Sequence, residues 1–305
     1  MVVRILLLVN SSASSVTARA RVVIQKALSA DHGVTLAETS RRGHATRLAQ
    51  GAATDGADVV VVLGGDGTLN EAANGLAGTD TALAALPGGS TNVFARTLGL
   101  PNDPIEATGV LLDALDRGSI RPVGLGSVNG RYFLFHVGLG FDAASIEQVE
   151  RRSTLKRWAG HPLFIYAAIT TWVRGYDRSR PRFAVKIGDE VVDDGYFTIV
   201  LNTNPYTYLG NRPLAIAPDA GLDQPLVSVT MSTLSFRRFA PILLEAVAAP
   251  ARLQRSRWVS YRTGVTEMIV SGHGPFPYQV DGDHLGDATL LTLKHEPEIL
   301  KLVLP

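Results

Sequence analysis

An unbroken apolar run, Val59-Val60-Val61-Val62-Leu63, leads into Gly64-Gly65-Asp66-Gly67 and then into a helical pattern beginning near Leu69. Strand, glycine turn and helix start follow one another without a gap. A continuous rather than alternating apolar run suits a strand buried on both faces, which points to a parallel sheet covered by helices. Glycines give the main chain conformations closed to other residues and let an anion approach the backbone N–H groups. The N-terminus of the following helix adds partial positive charge and unpaired donors. Asp66 would repel a phosphate met directly, so its place in such a loop makes sense if it holds a magnesium ion. Taken alone, Gly-Gly-Asp-Gly also fits a tight strand-to-helix turn with Asp66 as a helix N-cap.

A second turn of the same kind, Pro87-Gly88-Gly89-Ser90-Thr91-Asn92, follows the next strand pattern and again precedes a helical one. Strand ends of one parallel sheet share an edge, where such folds bind ligands, and the pair of turns favours phosphate binding over a bare turn. Around them, strand patterns at Val2–Val9, Val34–Thr39, Asp58–Leu63 and Ala82–Leu86 alternate with helical ones at Ala18–Leu28, His44–Gly51, Leu69–Leu76 and Ile105–Asp116. The expected fold class is therefore an α/β nucleotide-binding domain, an open parallel sheet with helices on both faces.

After Arg121 the pattern changes to short strands: Arg131–Val137, Phe183–Ile187, Tyr196–Leu201, Val227–Met231, Trp258–Tyr261, Met268–Val270, Tyr278–Val280 and Leu290–Leu293. Asn129-Gly130, Gly188-Asp189 and Asp281-Gly282 separate several of them, as in an antiparallel β domain. Helical insertions are expected near Pro162–Val173 and Phe236–Ala248.

Composition narrows the chemistry. The 305 residues, 46% hydrophobic and 19% charged, suit two ordinary globular domains or one large one. The absence of cysteine excludes disulfides, Cys-ligated zinc, iron–sulfur clusters and thiol catalysis. Met1 to Asn10 reads as a buried first strand rather than a signal peptide. No apolar stretch reaches the roughly 18–20 residues that span a bilayer, the longest being interrupted by Pro241 and Glu245 or by Arg174. There is no Gly-x-x-x-x-Gly-Lys-Ser/Thr, and the seven histidines show no His-Glu-x-x-His spacing. Gly88-Gly89-Ser90 is not a nucleophile elbow, and Gly124-Leu125-Gly126 and Gly138-Leu139-Gly140 read as strand bends.

Gly-Gly-Asp-Gly-Thr-Leu-Asn-Glu, Pro-Gly-Gly-Ser-Thr-Asn-Val-Phe-Ala-Arg and, far downstream, Val280-Asp281-Gly282-Asp283 together resemble, in order and spacing, the motifs of the diacylglycerol kinase catalytic-domain family. The resemblance implies a nucleotide domain over residues 1–122, a β-sandwich lipid-substrate domain with helical insertions over 123–294, and a return of about 295–305 to the first. It implies an ATP- and magnesium-dependent lipid kinase acting on a lipid hydroxyl, diacylglycerol by default. ATP would lie against Asn10, Thr39, Gly64, Gly65, Asp66, Gly67, Thr68, Asn70 and Thr91, with Arg96 ordering the second turn. Asp66 would organise magnesium. Asp283 takes the place of a family glutamate as general base, with Asp281 as its support in the catalytic set; by itself, Asp281-Gly282-Asp283 also fits a hairpin turn. The chain departs from the family at Asn10-Ser11-Ser12-Ala13-Ser14, which lacks the usual proline and glycine. Gly124 stands where relatives have an aspartate, and His136 where they have asparagine. Asp223 remains as a metal candidate, whereas Gln224 and Pro225 replace a second aspartate and a glycine.

Charge supports a membrane substrate. Residues 151–182 carry +7 and 236–262 carry +5, so the rest of a chain of net charge +1 carries −11. Those two segments also hold Trp158, Trp172 and Trp258. Basic and aromatic residues on amphipathic segments suit the anionic surface of a bilayer, although ordinary core faces with a solvated arginine rim give the same pattern. The expectation is a cytoplasmic protein held peripherally on the inner face of the membrane, with no nucleic-acid partner and a homodimer left open. The rivals are a kinase for a soluble acceptor such as NAD, and a catalytically silent nucleotide- or lipid-binding module.

Overall fold

A computed structural model describes residues 2–150, 170–171, 176–248 and 250–305. The chain divides into two compact units, Met1–Leu125 with Pro297–Pro305, and Gly126–Glu296. The helix expected near Pro162–Val173 lies almost wholly outside the described residues. So do Arg151, Arg152, Lys156, Arg157, Arg174, Trp158 and Trp172.

In the first unit, β1 (Arg4–Val9), β2 (Gly33–Glu38), β3 (Val59–Gly64) and β4 (Ala82–Pro87) run parallel in the order β2-β1-β3-β4. Every residue of β3 and β4 is buried, which is why both read as continuous apolar runs. Near the C-terminus Leu302 pairs with Leu83 of β4, again in parallel. The helices are α1 (Ala18–Asp31), α2 (His44–Thr54), α3 (Asp66–Leu76), α4 (Val93–Thr97) and α5 (Pro104–Asp116). The chain moves one way from β1 to β2 and the other way from β2 to β3 and β4. Right-handed crossovers then put α1 on one face and α2 and α3 on the opposite one. Packing agrees: α1 lies against α5, and α2 against α3. Local caps start two of these helices. Thr17 Oγ1 accepts from Ala20 N at 3.0 Å, and Asp103 Oδ1 accepts from Ile105 N and Glu106 N with Pro104 following.

In the second unit the strands are antiparallel. After β5 (Ile120–Val128), which runs on from the first unit, come β6 (Arg131–Phe133), β7 (His136–Gly140), α6 (Phe141–Glu150), β8 (Phe183–Ile187), β9 (Glu190–Gly195), β10 (Phe197–Leu201), β11 (Thr207–Leu209), β12 (Arg212–Leu214), β13 (Leu226–Met231), α7 (Phe236–Ala248), β14 (Val259–Val265), β15 (Glu267–Val280) and β16 (Asp283–Val303). The order β14-β13-β10-β7-β15-β16 forms the main sheet, with β8 and β9 attached along β15. Phe133, Phe183, Phe276, Leu291 and Leu293 fill its core.

Two strand expectations change. Arg131–Val137 is not one strand: it breaks into β6 and β7 because the amides of Leu134, Phe135 and His136 turn to the Asp281 carboxylate instead of a ladder. Met268–Val270 and Tyr278–Val280 are two ends of the single β15, whose register shifts between Ser271 and Phe276 and again between Pro277 and Gln279. Gly272 permits the first irregularity, since a Cβ there would lie 2.3 Å from the Gly274 carbonyl oxygen. Among the described residues no helix is long and apolar enough to cross a membrane.

Candidate functional site

The order β2-β1-β3-β4 reverses direction between β1 and β3, the point at which open parallel sheets hold ligands beyond their strand ends. The expected residues of the first unit lie there. Thr39 N donates to Val9 O at 2.9 Å and Asn10 N to Leu63 O at 3.0 Å, so consecutive strand ends stay in line. Asn10 then bonds twice through its side chain: Oδ1 accepts from Ser12 N at 3.1 Å, and Nδ2 donates to Thr68 Oγ1 at 2.9 Å. The loop after β1 is thereby tied to the start of α3.

The two glycine turns pack directly on each other. Gly88 N donates to Gly64 O at 2.9 Å. A Cβ on Gly88 would lie 2.8 Å from both Gly64 N and Val16 Cγ2, and one on Gly89 would lie 2.8 Å from Gly65 Cα. No larger residue fits without moving backbone. The glycines thus serve loop-to-loop packing as well as any approach of a ligand. Ser15 closes the third side, its N donating to Gly88 O and its Oγ to Gly89 O at 2.9 and 3.0 Å. Asn92, at φ 51°, clasps the second turn: Oδ1 accepts from Gly89 N at 2.7 Å and Nδ2 donates to Gly89 O at 2.9 Å. Asparagine tolerates that left-handed conformation better than most residues.

Asp66 is not the cap of its own helix, as the bare-turn reading had it. Gly65, not Asp66, is the N-cap of α3, and it contributes no side-chain bond. The Asp66 carboxylate crosses to α4 and accepts from Val93 N at 3.0 Å and Phe94 N at 3.1 Å. It caps the helix that follows the other glycine turn. A carboxylate offers about four lone-pair sites, and these amides take two of them. Glu71 does similar work, accepting from Gly43 N at 2.7 Å and Ala45 N at 3.1 Å at the start of α2. The motifs contain Glu71 and Asn92, but their spacing assigned neither a role: Glu71's partners lie at the start of α2, 26 and 28 residues earlier, and Asn92's clasp depends on its left-handed φ.

The remaining candidates divide. Gly67, Thr68, Thr91 and Arg96 are half-buried at the loop edge, with Arg96 N bonded to Asn92 O at 3.0 Å. Asn70 is 1% exposed on α3, and Asn74 Nδ2 donates to its main-chain oxygen and Oδ1. Asp223 is exposed and stands in the second unit, and among the described residues no three His, Asp or Glu side chains converge as a metal cage.

In the second unit, Val280 pairs with Asp283 across a two-residue turn in which Asp281 has φ 48° and Gly282 φ 83°. Both values are left-handed, as a tight turn of the Asp-Gly type requires. Asp281 is 4% exposed; its carboxylate accepts from Leu134 N at 2.7 Å and from Phe135 N and His136 N at 3.0 Å. Its oxygens hold backbone, so Asp281 anchors the turn that ends at Asp283. Asp283 is partly exposed and ion-pairs with Arg131 at 3.8 Å, a neighbour that the sequence did not suggest.

Residues 4–128 match the family model of the diacylglycerol kinase catalytic domain. The chain is 40% identical over 120 residues to a diacylglycerol kinase of Bacillus subtilis (strain 168), a match covering 39% of each protein. It is 29% identical over 196 residues to a diacylglycerol kinase of Staphylococcus aureus (strain JH9), covering 53% of this chain and 58% of that one. The matches thus span less than two thirds of those relatives' own lengths. The crystal structure of a diacylglycerol kinase from Bacillus anthracis str. Sterne superposes with a TM-score of 0.73 at 20% identity, covering 99% of this chain and 97% of that one; this likeness is one of fold.

Proposed function

We propose, from the premise that residues 4–128 match the diacylglycerol kinase catalytic domain, that the chain is a lipid kinase transferring the γ-phosphoryl group of ATP to a lipid hydroxyl, diacylglycerol first among the acceptors. The observation that carries this reading is the tying of three strand-end loops at the sheet's reversal point, Asn10 to Thr68, Gly88 to Gly64, and Val93 and Phe94 to Asp66. The N-cap of α3 is a glycine, so no cap side chain competes with an incoming anion for the amides of that helix's first turn, and Gly64, Gly65, Gly88 and Gly89 carry no side chain to block its approach. That donor set fits a polyphosphate.

Asp66 is the residue that would hold magnesium, fixed in place by its two amide bonds. Magnesium bound with the nucleotide would neutralise charge on the β- and γ-phosphates. Asp283 orients the acceptor hydroxyl and takes its proton as the new P–O bond forms and the bond to the ADP oxygen breaks. General-base assistance contributes about 10²–10⁴-fold, so positioning and electrostatics provide the rest.

An anionic bilayer is the surface on which such a substrate would be met. Phe236 is 64% exposed at the start of α7, beside exposed Arg237 and Arg238. Arg238 lies over the Trp258 ring at 4.1 Å and Arg257 at 4.7 Å. An apolar tip within a basic, aromatic rim supports peripheral docking.

The test is incubation with magnesium, ATP and a total lipid extract, with the phosphorylated product identified by mass. A phosphorylated lipid is expected, with turnover lowered about 10²–10⁴-fold in Asp283→Asn while ATP still binds. Near-full turnover in that variant removes the base. Phosphate passing to NAD in the aqueous phase replaces the lipid with a soluble acceptor. Binding of ATP and lipid without transfer, across several divalent metals, makes the chain a silent module.

A further inference from the structure

Behind the turn that carries Asp283 lies a buried polar chain that the proposed reaction does not use directly. Gln279 is 0% exposed and bonded at both ends of its amide. Its Oε1 accepts from Gly282 N at 2.7 Å, and its Nε2 donates to Asp142 Oδ2 at 2.7 Å. Asp142, itself 7% exposed on α6, also accepts from the Tyr206 hydroxyl through Oδ1. The amide orientation follows from its neighbours: Gly282 N–H can only donate, so it takes the oxygen, which leaves the NH₂ group for the carboxylate. Gly138 stands opposite Gln279 in the ladder, and a Cβ there would lie 1.6 Å from Asp142 Oδ2 and 2.6 Å from Gln279 Nε2. The bare backbone at Gly138 is what lets the two side chains meet.

The geometry points to Gln279 and Asp142 as positioning residues that hold the Asp281–Asp283 turn and, through it, the Asp283 carboxylate. An apolar pair of similar volume would fill the same space without the cost of burying polar groups. What it would lack is a fixed acceptor for the Gly282 amide. Asp281 ties its own position to residues 134–136, and Gln279 ties the next residue to α6. Both residues that precede Asp283 are therefore anchored, and a general base works only when placed within hydrogen-bond reach of its proton. The inference rests on Asp283 as the base.

Gln279→Leu keeps the volume and removes both bonds. It should lower kcat by roughly ten- to a hundredfold with KM for ATP unchanged, the size of effect expected from a misplaced catalytic group. In the Asp283→Asn background the same change should cost nothing further, because the group it positions is gone. Asp142→Asn, which keeps an oxygen able to accept, should restore most of the kcat lost in Asp142→Leu. Amide hydrogen exchange at Gly282 should quicken in Gln279→Leu. A full additive loss in the double variant, or wild-type kcat in Gln279→Leu, overturns the positioning role. If Gln279→Leu does not fold, Asp142→Leu against Asp142→Asn carries the same comparison, and equal kcat in those two overturns it. If Asp283→Asn keeps its turnover, the base assignment fails instead, and Gly282 exchange decides the anchor alone: unchanged protection in Gln279→Leu sinks it.

Discussion

Asp66, at the first position of α3, accepts the main-chain N–H of Phe94 at 3.1 Å, 28 residues along the chain. The acid of the first glycine turn is thus the cap of the helix after the second, with Val93 N bonded to its other oxygen. Asp66→Ala should therefore do two things at once. It should destabilise the fold by about 1–3 kcal/mol, as loss of a charged acceptor for buried donors does, and it should abolish turnover. Denaturant midpoints with and without ATP separate the two effects; an unchanged midpoint without nucleotide would deny the capping role.

Gly88→Ala tests the packing of the loops on each other. The added methyl would sit 2.8 Å from Gly64 N, which is backbone and cannot swing aside. A loss of about 1–3 kcal/mol and weaker ATP binding are expected, read by thermal melting and by titration. Gly109→Ala, in α5 with nothing within 4 Å of the new methyl, is the control and should be neutral or slightly stabilising.

Glu71→Ala removes the acceptor for Gly43 N and Ala45 N and should cost about 1 kcal/mol of stability. Its partners are at the start of α2, so the ATP dissociation constant of the folded protein should stay near that of the wild type. A large change in nucleotide affinity would place Glu71 in the site instead.

Burial pushes His136 from its ordinary value near 6.5 down to about 3. The unfolded chain takes up this proton as pH falls below about 6.5, whereas the folded one does not until near 3. Stability is therefore lost as pH falls through that window, by an amount on the order of a few kcal/mol. Burial acts on Asp142 in the opposite sense, raising it, so its contribution is full at low pH and lost as pH rises through the raised value. His136→Asn should flatten the acid limb of the melting temperature between pH 7 and 4. Identical slopes in variant and wild type would show that His136 does not govern it.

Replacing Arg237 and Phe236 together, by Glu and Ala, should weaken binding to phosphatidylserine-rich vesicles. An arginine near an anionic surface contributes about 1 kcal/mol, roughly fivefold in affinity, and the ring adds to it. Binding of the wild type should fall with added salt. Equal affinity of variant and wild type would move the docking surface elsewhere.

Much of the protein was legible in the chain because the signals were local. Continuous apolar runs at Val59–Leu63 and Ala82–Leu86 announced buried parallel strands, and Asp281-Gly282 announced a tight turn, since each depends only on side-chain periodicity or on φ at one or two residues. What each polar residue holds was decided by tertiary structure. The sheet order sets β1 beside β3, which brings Asn10 to Thr68, 58 residues on. Asp281 collects amides 145 to 147 residues before it and so divides what looked like one strand into β6 and β7. Gln279 reaches Asp142 only because Gly138 leaves the way open. A hydrogen bond acts over about 3 Å, and sequence spacing says nothing about which distant segments the fold will bring that close.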